Sequence, residues 1–260
     1  MGDIMARLAT PPAATFVNVT FPEGFTIAQM GTRLAERTLR LDAEKFVSAA
    51  TSSTIETWLR PAAEGPLEGL LFPDTYQVSG EESEVQVVTR MVSLMERVGR
   101  QEGLDEAQDK VGYSPYQVLT IASLIEREAK VPEDRAKIAR VIYNRLELKM
   151  PLQIDASLYY GAPDGADFAV LKEADTPYNT YKRKGLPPTP IASPGRASIV
   201  AALNPSPNPN ASDAVCQGVK PPCRYLYYVL ADKNGAHKFA ATLEQHERNV
   251  EEARQAGILP

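Results

Sequence analysis

The chain has 260 residues, 43% of them hydrophobic and 23% charged, the balance of a globular protein and not of a disordered, collagenous or coiled-coil one. Asp plus Glu number 33 against 28 Lys plus Arg, and a net charge of −5 argues against a general nucleic-acid binder, which needs a basic excess or stripe. No run approaches the roughly 18 apolar residues of a spanning helix, and the opening MGDIMARLATPPAATF lacks a signal-peptide layout, so the sequence as written reads as soluble.

Residues 16–21 (FVNVTF) alternate as a strand and end at the turn signal Pro22-Glu23-Gly24. From Thr26, Ile27, Met30, Leu34 and Leu39 recur at helical spacing, and a second short helix from Asp42 turns Phe46, Val47 and Ala50 inward. This strand, glycine turn, helix, helix order resembles the LysM-like carbohydrate-binding module; a small packing domain without a ligand fits it as well. Residues 61–69 (PAAEGPLEG) read as a joint, which divides the chain into a small α/β subdomain, 1–62, and a mixed α+β domain, 63–260. A strand-like LLFPDTYQVS follows, then an amphipathic helix over 82–102 with Val85, Val88, Met91, Met95 and Val98 apolar.

Ser114-Pro115-Tyr116-Gln117 is a helix start, with Ser at the N-cap, Pro in the first turn and Gln completing a capping box. On the wheel of the helix that follows, Val118, Leu119, Ile121, Ala122, Leu124, Ile125 and Ala129 form an apolar arc. Thr120, Ser123, Arg127 and Lys130 fall outside it. Glu126 and Glu128 both fall inside. A carboxyl on an apolar face is costly to ionise, which suits a general acid. Pairing with Arg135, Arg140 or Arg145 of the next helix would also explain it, and the wheel does not choose between the two glutamates. That next helix opens with Glu133 and Asp134 in its first turn and buries Ile138, Val141, Ile142 and Leu146. Asn144 and Arg145 lie near its end, in reach of a polar cleft or, for Arg145, of helix-end carbonyls.

The only two cysteines, Cys216 and Cys223, share the proline-rich loop ASDAVCQGVKPPCRY. A local disulfide and an oxidising compartment account for them; two free thiols are the alternative, and no further residues complete a metal site. Residues 225–229 (YLYYV) read as a buried strand and 243–256 as a closing helix. His237 and His246 match no zinc spacing and read as structural or peripheral.

Four stretches in order, ASLIEREAK, VIYNRLELKMPLQIDASLYYG, TPYNTYKRKGLPPTPIASPG and YLYYVLADKNGAHKFAATLEQHERNV, resemble the endolytic murein (lytic) transglycosylases of the YceG-like family, from Phe72 to Asn249. The resemblance implies that the second glutamate of the E-x-E pair, Glu128, is catalytic. It further implies a single-pass protein of the bacterial cytoplasmic membrane, with this region extracytoplasmic and the anchor preceding Met1. Cleavage of nascent glycan strands at the MurNAc-β-1,4-GlcNAc bond would leave 1,6-anhydroMurNAc ends and need no cofactor. Cell-wall synthases would be partners.

Gln153, Asp155 and Ser157 alternate, so an extended backbone would point all three the same way, as on a sugar-binding strand. Asp155 could also be the second carboxylate of a hydrolytic muramidase. Tyr178-Asn179-Thr180-Tyr181 supplies two aromatic faces and two hydrogen-bonding side chains, typical of a saccharide cleft and also of core packing. With Glu126, Asn144 and Arg145 these residues form the expected substrate-binding set. Gly185-Leu186-Pro187-Pro188 and Ser193-Pro194-Gly195 read as stiff cleft walls. A non-catalytic peptidoglycan-binding scaffold is the competing reading.

Overall fold

A computed structural model describes residues 16–51, 55–60 and 65–259. It is of the mixed α+β class. The packing divides into two compact units, the described residues up to Gln101 together with Ala192–Gly195, and Glu102–Ile191 together with Arg196 onward.

In the first unit, strand β1 (Phe16–Thr20) pairs antiparallel with β2 (Thr75–Ser79), Val19 opposite Tyr76 and Val17 opposite Val78. Between them lie helices α1 (Ile27–Arg37) and α2 (Ala43–Thr51). This pairing lies across the boundary expected at residue 62, so the packing divides later in the chain than the composition of 61–69 implied. The second half of that expected joint is core: Leu67 and Leu70 are fully buried and Glu68 nearly so. The Glu68 carboxylate accepts the Ile27 N–H at 3.2 Å, meeting an unpaired donor at the start of α1. A capping box of Thr26 and Gln29 meets others. Helix α1 stops at Arg37, so Leu39, expected inward, is fully exposed. Ile27, Met30, Leu34, Phe46 and Ala50 are buried as their spacing requires, and Phe21 stacks on Phe46 and meets Tyr76 edge-on. Helix α3 (Glu84–Glu102) buries Val88, Met91, Met95 and Val98 and leaves Val85 half exposed.

Gly31 fixes how closely α1 and α2 approach. A Cβ there would lie 2.9 Å from the Ala43 carbonyl oxygen, a backbone atom that cannot swing aside.

The second unit centres on α5 (Pro115–Glu128), which packs against α6 (Arg135–Glu147) and α9 (Arg196–Leu203), with α4 (Ala107–Val111) beside it. Two short helices, α7 (Asp155–Leu158) and α8 (Phe168–Glu173), lie in the long connection after α6. Strands β3 (Tyr227–Leu230) and β4 (His237–Ala240) form an antiparallel hairpin on which α10 (Leu243–Gln255) packs. The strand expected at 225–229 is thus shifted by about two residues, and it is half-buried instead of buried. Cys216 and Cys223 are joined by a disulfide across a Cα–Cα distance of 5.7 Å.

Gly31→Ala is expected to destabilise the protein by about 1–3 kcal/mol, because overpacking outweighs the better helix propensity of alanine; thermal denaturation beside wild type measures it. Thiol titration of the unreduced, unfolded chain is expected to find no reactive thiol, and two after reduction.

Candidate active site around Glu128

The site begins with the stop of α5. The Ser114 hydroxyl accepts the Gln117 N–H and the Gln117 side chain accepts the Ser114 N–H, so the capping box predicted from sequence starts the helix. Residues 118–125 are buried all round. That includes Thr120 and Ser123, which the wheel left outside the arc: Thr120 returns its hydroxyl to the Tyr116 carbonyl, and Ser123 donates to Thr120 O while accepting the Ile191 N–H at 3.0 Å. The helix ends at Glu128, where Ala129 turns to extended backbone. Glu128 therefore sits at the negative end of the helix dipole, a poor place for a carboxylate charge.

Burial pushes the Glu128 carboxyl from an ordinary 4.5 up to about 7, and the nearby Asp155 charge adds to the rise. A hydrogen bond from the Tyr228 hydroxyl to Oε2 (3.0 Å), the Ala156 N–H and the Arg127 charge act the other way. Two of the three arginines offered as ion-pair partners are engaged elsewhere, and Arg135 has no ion pair with Glu128 among the described residues. Arg140 donates to the Ser206 and Pro205 carbonyls, and Arg145 to those of Leu226, Pro151 and Leu152. Glu128 is held by a phenol and an amide, not by an arginine.

Glu128 opens on a cavity of about 460 Å³, a size suited to a small-molecule or sugar-sized guest. Arg145, Gln153, Asp155 and Tyr181 line one part of it, and Leu230, Leu243, Val250 and Leu259 supply an apolar part. Tyr181 donates its hydroxyl to Asp155, and burial together with that carboxylate holds the phenol above its ordinary range. Gln153 has φ of 54°, in the left-handed region, pinned by its N–H to the Thr180 carbonyl and by its side-chain oxygen, which accepts from Arg145. The Arg145 guanidinium lies 5.0 Å from the centre of the Tyr227 ring, and that ring stacks on His246 at 5.2 Å. Desolvation, then the Arg145 charge, pulls the His246 pKa down.

The expected binding set divides. Arg145, Gln153, Asp155 and Tyr181 line the cavity with Glu128. Gln153, Asp155 and Ser157 do not form a strand: α7 begins at Asp155 and turns Ser157 into the core, where its hydroxyl meets Ile154 O and Thr180. Thr180 accepts the Ile154 N–H as well, so both hydroxyls hold the segment behind the cavity. Asn179 donates to the carbonyls of Lys172 and Ala174, closing the end of α8, and accepts the N–H of Tyr181. Asn144 is bonded to Asn208 and the Tyr225 carbonyl. Tyr178 pairs with Thr189 and packs on Tyr160. None of these, nor Glu126, is among the residues lining the Glu128 cavity. The GLPP turn lines a different hollow with Tyr113 and Tyr116, and 193–195 belongs to the first unit.

Sequence reasoning passed over Tyr227, Tyr228, His237 and His246, all of which line the cavity. The two histidines are thus not peripheral. The signal was a turn: Asp232-Lys233-Asn234-Gly235 lies between two β-rich runs, and Asp232 Oδ1 accepts the N–H of Asn234 and Ala236. Reading it as a hairpin sets Tyr228 opposite Phe239 and near His237.

A family model described as the YceG-like family matches residues 1–252, nearly the whole chain. The chain belongs to the YceG-like family. A relative from Bacillus subtilis named endolytic murein transglycosylase is 34% identical over 95% of this chain and 68% of its own length. A relative of the same name from Streptococcus pneumoniae is 29% identical over 93% of this chain, which spans only 45% of it. The crystal structure of a YceG-like protein from Listeria monocytogenes superposes with a TM-score of 0.74 at 30% identity, covering 95% of this chain and 79% of that one.

In this YceG-like chain the raised Glu128 has a consequence for stability. Between pH 4.5 and 7 the folded state holds a proton there that the unfolded state has lost, so stability falls as pH rises through that window. Glu128→Gln removes the loss. The variant is expected to gain stability over wild type from pH 4 to pH 8, by at most about 3 kcal/mol, read as a growing difference in melting temperature.

Proposed function

We propose that the chain is a lytic transglycosylase that cuts murein glycan strands internally, with Glu128 as the acid and then the base. The observation that carries this reading is one carboxyl, enclosed at the cavity and pushed up to about 7, so that about half of the molecules still hold its proton at neutral pH. Such a group can protonate a glycosidic oxygen. The proton passes from Glu128 to the oxygen of the departing GlcNAc as the C1–O bond of MurNAc breaks. The Glu128 carboxylate then takes the proton of the MurNAc C6 hydroxyl, whose oxygen bonds to C1. The product is a 1,6-anhydroMurNAc end, Glu128 is again protonated, and no water is consumed. The tethered hydroxyl has the high effective concentration of an intramolecular nucleophile. The names of the curated relatives agree with murein as substrate and with cleavage inside the strand.

The same reading puts this region outside the cytoplasmic membrane, in a membrane-attached protein, where the Cys216–Cys223 bridge would persist. Among the described residues no helix is long and apolar enough to cross a membrane. The first unit, with its strand, helix, helix, strand order, is read as a LysM-like glycan holder. Synthases that release nascent strands are the partners this substrate implies.

A hydrolytic muramidase is the second reading, because Asp155 lines the same cavity. Mass spectrometry of digested peptidoglycan separates the two: anhydroMurNAc ends are expected, and reducing MurNAc ends would sink the transglycosylase. Glu128→Gln should lower cleavage by about 10²–10⁴-fold. The rate should fall above about pH 7 as Glu128 loses its proton. Tyr228→Phe removes a bond that favours the carboxylate, so this alkaline limb should move to higher pH.

A further inference from the structure

Asp134 is almost wholly buried at the end of a single 3₁₀ turn leading into α6. Its Oδ2 accepts two hydrogen bonds from one residue, the His237 backbone N–H at 2.7 Å and the ring Nδ1 at 2.9 Å. A carboxylate only accepts, so a ring hydrogen is on Nδ1 and Nε2 is turned away from Asp134, presenting a lone pair whenever the ring carries that one hydrogen. No hydrogen bond from a described residue reaches Nε2, yet that atom is not among the buried polar atoms lacking a partner. His237 lines the Glu128 cavity, and its ring meets the Tyr228 ring edge-on at 5.4 Å, while the Tyr228 hydroxyl bonds Glu128.

A packing histidine has no need of a buried carboxylate that fixes its tautomer and leaves one nitrogen open to a cavity. We propose that His237, oriented by Asp134, contacts the glycan, its Nε2 accepting a hydrogen bond from a sugar hydroxyl next to the bond that Glu128 protonates. The proposal rests on the transglycosylase reading and adds a second polar contact to it, across the breadth of Tyr228 from the acid. Tyr228 then separates the two groups that touch substrate.

Two variants test it in the full chain. His237→Asn keeps an amide nitrogen where Nδ1 bonds Asp134 but has no atom in the place of Nε2; His237→Gln can put a polar atom there. With melting temperatures near wild type, His237→Asn should lower kcat/KM about tenfold, the worth of one lost hydrogen bond, and His237→Gln should recover part of it. In a Glu128→Gln background, His237→Asn should weaken binding of a soluble murein oligosaccharide by a similar factor. Wild-type affinity and kcat/KM in His237→Asn would overturn the proposal. So would loss of folding in both variants, which would make the dyad structural. Wild-type protein that binds the oligosaccharide without cutting it would overturn the transglycosylase reading alone, and the binding comparison would still judge His237.

Discussion

The contact between the Glu128 carboxyl and the Tyr228 hydroxyl, a hundred residues apart in sequence, is the constraint around which the second unit is arranged. Left to burial alone, the carboxyl would be held still more firmly protonated. With the phenol and the Ala156 N–H donating to it, the charged form is supported enough to bring the group to about 7, where both forms are accessible. The dipole at the end of α5 and the charge of Asp155 act against this support. The position of the pKa is therefore a balance of opposed local effects, drawn from α5, α7 and β3.

Those segments are held together by contacts between protein groups. Gly235 lies against Lys130, just past the end of α5, so closely that a Cβ would come within 2.5 Å of the Lys130 Cβ; its φ of 96° is likewise one that glycine accepts. This turn seats the hairpin on the helix and so carries Tyr228 to Glu128. Arg145 and Asn144, adjacent on α6, reach the carbonyls of Leu226 and Tyr225 and fix the entry to β3. The disulfide loop joins the same arrangement, since Gln245 at the start of α10 donates to the Val215 carbonyl.

The helices were legible because their signals are local. The capping box at Ser114 and Gln117 and the apolar arc of α5 are both local to that helix, and they placed its start and its buried stretch, though the arc held Glu126 and Glu128 alike. What the wheel could not contain was the identity of the partner, since ion pairing and a phenolic bond leave the same periodicity in α5. Side-chain type misled at Asn144, Ser157, Asn179 and Thr180. Polar residues near a proposed cleft look like ligand contacts until the carbonyls they satisfy are known, and those carbonyls are of Lys172, Ala174, Ile154 and Tyr225. The alternation of Gln153, Asp155 and Ser157 failed for a related reason. Gln153 enters the left-handed region and α7 begins two residues later, which breaks the period of two.

Satisfaction of polar groups separates scaffold from site more cleanly than residue type does. Asn179, Ser157 and Thr180 are buried and spend their hydrogen bonds on backbone groups and, for the two hydroxyls, on each other. His246 differs: its Nδ1 is buried without a partner among the described residues, and the ring is stacked on Tyr227 beside the guanidinium of Arg145. An unmet buried nitrogen costs stability, and a cationic neighbour makes protonating the ring harder still. Glu68, by contrast, is a buried carboxylate set at the beginning of α1, where free N–H groups and the positive end of the dipole welcome it. Glu128 is the same side chain at the opposite end of a helix. The two positions show how one residue type caps a helix in one unit and holds a raised pKa in the other, according to which helix terminus it meets.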